Sequence, residues 1–262
     1  AGMIGPPLPA ARLWPLTAAG AGGFLLLWSV AALAGLTSRD FLPTPWDVLD
    51  RVAGLMSEPF AGYVLQQHLL SSLGRFAMGF VLAVLVGLPL GLLMAWFRWV
   101  DRVVTPAFEA VRFVAPIAWV PFAALWFGTG IGGPVLIIFM GAFPPVLINT
   151  YRGARQVDPK YIEASRMLGA SHWRAMTEVL LPAAVPSIVA GLRISAGLGW
   201  QSLVGAELIV ASSGVGYLMV KGQAAVSTST VMAGMLAIGA VGIVIDTLLR
   251  RAQRAIEQRR GR

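Results

Sequence analysis

Residues 163–182 read EASRMLGASHWRAMTEVLLP, a polar, helix-prone segment set between two strongly apolar stretches. Just upstream, Asp158 and Pro159 start a helix well, because Asp is a preferred N-cap and Pro suits the first helical position. That helix runs through Tyr161, Ile162, Ala164, Ser165, Met167 and Leu168. Gly169 stops it, since glycine accepts the left-handed conformation past a helix end. Ser171 caps a second helix, in which Trp173, Met176, Val179 and Leu180 recur at helical spacing. Pro182 is expected to end this helix or to kink the chain into the apolar stretch that follows. The segment is therefore a helix–turn–helix. Small residues around Ala164 and Ser165 let another protein's surface approach, and Glu163 and nearby arginines offer charged contacts. An ordinary amphipathic loop satisfies the same pattern.

The surroundings decide what kind of protein carries such a loop. Hydrophobic residues make up 57% of the 262 and charged ones only 12%, against about 25% charged in a soluble domain. Mean hydropathy is +0.74. These values describe a polytopic membrane protein. The net charge of +8 would suggest nucleic acid in a soluble chain, but no basic stretch interleaves with aromatics outside the apolar segments. Nucleic acid is thus not expected as a partner, and anionic membrane lipid is. With no cysteine, disulfides, thiol catalysis and thiolate metal sites are excluded. His68 and His172 lie far apart and form no metal-ligand spacing. The opening fifteen residues do not carry the pattern of a secretory leader.

A helical span needs about 20 apolar residues, and six segments meet this: Leu16–Leu36, Phe76–Phe97, Ala107–Phe127, Pro134–Ile148, Ala183–Ala211 and Ser229–Leu249. The second contains Gly87 and Gly91, four apart, which lets helices pack closely. Pro116 and Pro121 interrupt the third, and Pro144-Pro145 is expected to close the fourth. With the N-terminus inside, Arg12, Arg98, Arg102, five basic residues from Arg152 to Arg174 and six from Arg250 onward fall on the cytoplasmic side. Only Arg39, Arg51 and Lys221 fall outside, so the positive-inside rule places both termini and the helix–turn–helix in the cytoplasm. The expected division is a cytoplasmic segment 1–15, a membrane domain 16–250 containing loop 158–182, and a basic tail 251–262 that anchors to lipid. On the outer side, Trp46, Leu49, Val52, Ala53 and Met56 follow a Pro-x-Pro turn at helical spacing. They predict a short interfacial helix, either a docking surface or a cap over the bundle.

Ionisable residues inside a membrane are costly and face a bundle interior or a cavity. The fifth span holds Arg193 and Glu207; fourteen residues of helix put them about 21 Å apart and within about 40° of one face. Ser195, Trp200, Gln201 and Ser202 lie between them. One reading is that this face lines a translocation path, with Arg193 favouring an anion and Glu207 at an outer gate. The other is that both charges pair with neighbouring helices. Glu109 with Arg112 and Asp246 with Arg250 are spaced for local ion pairs.

The opening stretch resembles the EAA loop of ABC importer permeases, whose pattern is E-A-A, three residues, G, nine residues, then I-x-L-P. Here Glu163-Ala164-Ser165 precedes Gly169 by that interval, and Val179-Leu180-Leu181-Pro182 closes it. Ser165 and Val179 are mild departures. From Leu42 onward the chain is similar to the nitrate, sulfonate, taurine and bicarbonate branch, on FLPTPWDV (41–48) and GLRISAGLGWQSLVGAELIVASSGVGYLM (191–219). The resemblance implies an all-α permease with six transmembrane helices, of the type I importer kind, in the bacterial inner membrane. It implies a homodimer with two separate ATPase subunits, which bind the ATP and Mg, and an outer, periplasmic binding protein. Glu163, Ala164, Ser165, Gly169, Ala170, Ser171, Trp173 and Pro182 would form the ATPase-coupling helix. No G-x-x-x-x-G-K-[ST] phosphate loop occurs, so this chain is expected to be neither an enzyme nor a cofactor binder. The GLGW and AELI run resembles taurine-type permeases most, a likeness that implies a small anion as cargo, first a sulfonate such as taurine, with nitrate, bicarbonate or an aromatic acid open and a neutral or cationic cargo such as a thiamine precursor as runner-up. An ion-coupled secondary transporter is the rival class; the internal repeats common in that class are absent.

Overall fold

Long uninterrupted apolar sequence gives long helices here. In the structure, a computed structural model, residues 10–34, 41–128 and 130–260 are described. The helices run α1 (Ala10–Leu33), α2 (Pro45–Ser57), α3 (Leu65–Trp96), α4 (Arg98–Arg112), α5 (Val120–Phe127), α6 (Gly132–Arg155), α7 (Pro159–Met167), α8 (His172–Arg174), α9 (Leu181–Val210), α10 (Val215–Ala224) and α11 (Thr228–Arg260). No strand occurs among the described residues. Five helical runs are long and apolar enough to span a membrane, and a sixth crossing exists if α4 and the Pro116–Phe127 run count together. Most of the expected 1–15 segment, and Thr37 to Asp40 of the outer segment, lie outside the described residues.

The core is a trio of α3, α6 and α9. Gly87 and Gly91 work as expected: a Cβ on Gly91 would lie 2.9 Å from the Leu147 carbonyl oxygen and one on Gly87 3.0 Å from Val146, so these glycines are what lets α3 lie against α6. Phe76, Ile138, Ala196, Trp200 and Leu203 fill the centre.

Several boundaries differ from the sequence expectation. The third span is not one helix. It breaks at the 3₁₀ turn Pro116–Trp119 and turns by 90°, because Pro116 disfavours helix in the residue before it and has no N–H to donate. Pro144 and Pro145 do not end the fourth span but sit inside α6; the carbonyls of Met140 and Gly141 thereby lose their usual helical donors. Pro182 does not end the second helix of the elbow. From His172 to Val210 the chain is helical over 39 residues, and a π-helical turn at Ala175–Leu180 immediately precedes Pro182. The wider turn absorbs the missing donor and the ring. The basic tail extends α11 rather than forming a separate segment.

On α2, Thr44 caps the helix in a reciprocal box with Asp47. The buried side is Val48 and Leu55, packed with Leu65, Val215, Leu218 and Ala233. Trp46, Leu49 and Met56 face outward, so the expected stripe of five is split: only Val52 joins the packing.

Candidate coupling elbow and translocation path

At one end of the bundle α7 and α8 form an elbow. Asp158 Oδ1 accepts from the Lys160 amide at 3.0 Å, Ser171 Oγ accepts from the Arg174 amide at 3.3 Å, and Gly169 has φ +85°. Both expected caps and the expected left-handed glycine are present. The elbow is seated by Met176, Leu180, Ala184 and Ile188, which pack with Leu92 and Ala154. Trp96 at the end of α3 braces it: the Arg166 guanidinium lies 5.7 Å from the Trp96 ring centre, and His172 meets the same ring edge-on.

Its outward surface is apolar at the tip. Met167 and Leu168 are each 89% exposed and Trp173 66%. Glu163, Ala164 and Ser171 are exposed beside them, Ser165 and Ala170 half-buried and Pro182 half-buried at the base. In the sequence Met167 and Leu168 read only as residues of the helix that starts at Asp158. Only the turn at Gly169 shows that they point away from the bundle. Exposed large side chains on an otherwise seated loop mark a contact surface.

The far end of α9 is built differently. Glu207 is buried and accepts from Ser72 Oγ (2.8 Å), Arg75 Nη1 (2.8 Å) and the Gly216 amide (3.0 Å). Arg75 also donates to the Ser213 carbonyl and hydroxyl, and His68 Nδ1 accepts from the Gly214 amide. Residues 211–214, which join α9 to α10, are thus tied to α3. Arg75 stands one residue before the Phe76–Phe97 apolar run, and 132 positions separate it from Glu207.

The expected path residues divide accordingly. Ser195 is buried and donates to the Ala142 carbonyl (2.5 Å), and Trp200 is buried and donates to the Ile238 carbonyl (3.1 Å). With Glu207 they face neighbouring helices, a correction to their expected lining of a path: inter-helix hydrogen bonds, not one polar stripe, set their direction. Arg193 is half-buried and pairs with Asp246 at 2.6 Å, which also holds Arg250 at 2.5 Å. Asp246 had been matched with Arg250 alone. Gln201 is exposed and Ser202 half-buried, and both line a cavity of about 380 Å³ between α4, α6 and α9. A second cavity of about 490 Å³ holds Arg193, Asp246, Gln201 and Gln253. Leu198 and Gln201 border both, so one uncovered face of α9 runs from Gly205 back to Ala190, through the middle of the helix.

Comparisons with known proteins agree with this layout. Residues 87–262 match the family described as binding-protein-dependent transport system inner membrane component. The chain is 35% identical over 233 residues to the taurine transport system permease protein of Escherichia coli strain K12, covering 88% of this chain and 85% of that protein. It is 33% identical over 249 residues to the bicarbonate transport system permease protein of Synechococcus elongatus, covering 92% and 88%. Its fold is similar to a solved structure of the MetNI methionine ABC transporter in an inward-facing conformation, with TM-score 0.64, 21% identity, and 73% of this chain and 95% of that chain covered.

Proposed function

The chain belongs to the family of binding-protein-dependent transport system inner membrane components, the permease subunits of ABC importers, and on that premise we propose what it carries and how it is driven. It is a transport subunit and not an enzyme. Its cargo is a small anion, with a sulfonate such as taurine first. The relatives bear on this unequally: similar identities lead to a taurine and to a bicarbonate permease, so overall likeness supports the anion class more than either member. The pair Arg193 and Arg250 on one Asp246 leaves a net positive charge at the elbow-side mouth of the α9 face, which suits an anion.

The elbow is the handle. Two copies of the chain face each other across the uncovered side of α9, with two ATPases below and a binding protein above. Both termini and the elbow face the cytoplasm. Residues 158–182 seat in the ATPase, with Met167, Leu168 and Trp173 as the buried contact, Ala164 and Ser165 permitting close approach and Glu163 at the rim. ATP-driven closure of the ATPases pulls the two elbows together, and α9 moves with them because helix is continuous from His172 to Val210. Arg193, Gln201 and Ser202 line the path. Ser195, Trp200 and Glu207 hold its wall.

The single observation carrying this reading is the projecting apolar tip at Met167 and Leu168 on a capped, braced elbow. The test is uptake of radiolabelled taurine into proteoliposomes containing the permease, its ATPase and a taurine-loaded binding protein. ATP-dependent uptake is expected, lost in Met167→Asp/Leu168→Asp along with co-purification of the ATPase. Uptake by the permease alone, without a nucleotide-hydrolysing subunit, overturns it.

A further inference from the structure

Arg112 was matched in the sequence to Glu109 and nothing more, and that pair forms, at 2.7 Å. Its surroundings are unusual for a local ion pair. Three cavities, of about 370, 400 and 380 Å³, all take Arg112 into their lining. The guanidinium is 30% exposed and the Glu109 carboxylate 46%. The pair stands at the end of α4, just before the chain breaks and turns by 90°. Across the shared cavity lies Gly141, nine residues into α6, about 14 Å along its axis. That is close to the middle of a 24-residue helix. Glu109 shares a cavity with Asp101, Arg102 and Arg152, while Arg112 reaches from there into the α6–α9 cavity as well; partly exposed charges on such linings face a cavity or a path rather than lipid.

The hydrogen-bonding capacity around Arg112 is one-sided. An arginine has five N–H donors, and Glu109 engages only Nε and Nη2. Gln201, lining the third cavity with Arg112, makes no hydrogen bond among the described residues and offers two more N–H groups. Spare donors of two side chains on the lining of one cavity are matched by a ligand that brings acceptor oxygens.

We propose that Arg112, with Gln201, forms a binding station for a small oxyanion, such as a sulfonate, in the cavity between α4, α6 and α9, and that Glu109 occupies Arg112 until the oxyanion arrives. The guanidinium fork matches the paired oxygens of a sulfonate or carboxylate. Glu109 then acts as an internal competitor: it keeps the cation neutralised while the station is unfilled, and it weakens binding enough for release. This rests on the permease reading above and adds to it a site within the chain itself, separate from that of the binding protein.

The test measures binding of radiolabelled taurine to the purified permease–ATPase complex in nanodiscs, without binding protein, beside ATP-driven taurine uptake by the same complex with binding protein. Arg112→Gln is expected to weaken binding at least about tenfold, and Arg112→Lys, which keeps the charge and loses the fork, about threefold. Glu109→Gln is expected to tighten binding about threefold and to slow uptake, because release is hindered. Ethanesulfonate is expected to displace taurine and ethylammonium is not. If Arg112→Gln fails to assemble, the Lys and Glu109→Gln variants decide. Unchanged affinity in Arg112→Lys together with unchanged or weaker affinity in Glu109→Gln overturns the station, while ATP-driven uptake by the wild type leaves the permease reading standing. A wild type that takes up no taurine overturns the cargo instead, and the same variants compared for bicarbonate uptake then decide the station by the same criterion.

Discussion

The α10 end of α9 and its middle hold their charges in opposite ways. At the α10 end, Glu207 and Arg75 are 1% and 7% exposed and each has more than one partner. At mid-helix, Arg193 and Asp246 are 34% and 38% exposed, and Asp246 divides itself between two arginines. Breaking a buried, hydrogen-bonded pair leaves an uncompensated charge, whereas a half-exposed pair contributes little. One helix therefore joins a fixed end to a more weakly held middle, and from there it continues without interruption into the elbow.

The comparison can be broken by experiment. The largest effect is expected from Glu207→Ala, which strands Arg75 and costs about 3–5 kcal/mol. It should appear as a steep loss of thermal stability in detergent, and the double change Arg75→Met/Glu207→Leu should recover most of it. A single variant as stable as wild type would remove the fixed end. Next comes Gly169→Val. Its φ of +85° forces a β-branched residue into the left-handed region, at about 1–3 kcal/mol of local strain. The expected readout is more ATP hydrolysed per cargo carried, with helix content unchanged. Asp158→Ala removes the cap of α7 and costs about 1 kcal/mol, seen as faster hydrogen exchange at the amide of Lys160. The smallest stability change is expected from Arg193→Gln, because Asp246 keeps Arg250. Uptake should nevertheless fall. Normal uptake would take Arg193 out of the path, and failed assembly would make mid-helix as critical to folding as the α10 end.

Local signals were legible in the sequence wherever a residue's effect is local. Asp158, Gly169 and Ser171 act on backbone within a few positions, and each took its expected place. Glu109 with Arg112 and Asp246 with Arg250 lie three and four apart, within one helix turn, and both pairs formed. Prolines were the weak point. Their effect depends on whether neighbouring helices and a widened turn can absorb the lost donor, so Pro144, Pro145 and Pro182 sit within helical runs while Pro116 marks a break.

The sequence alone determined that this is an all-helical membrane chain, the registers of its elbow and the glycine seam between α3 and α6, because hydropathy, caps and small-residue spacing act along the chain. Tertiary structure alone decided which polar groups meet: Glu207 with Arg75, Arg193 with Asp246, and Arg112 with Gln201 on one cavity lining. Those meetings join residues up to 132 positions apart, and helical periodicity says which face a residue occupies but not which helix packs against it.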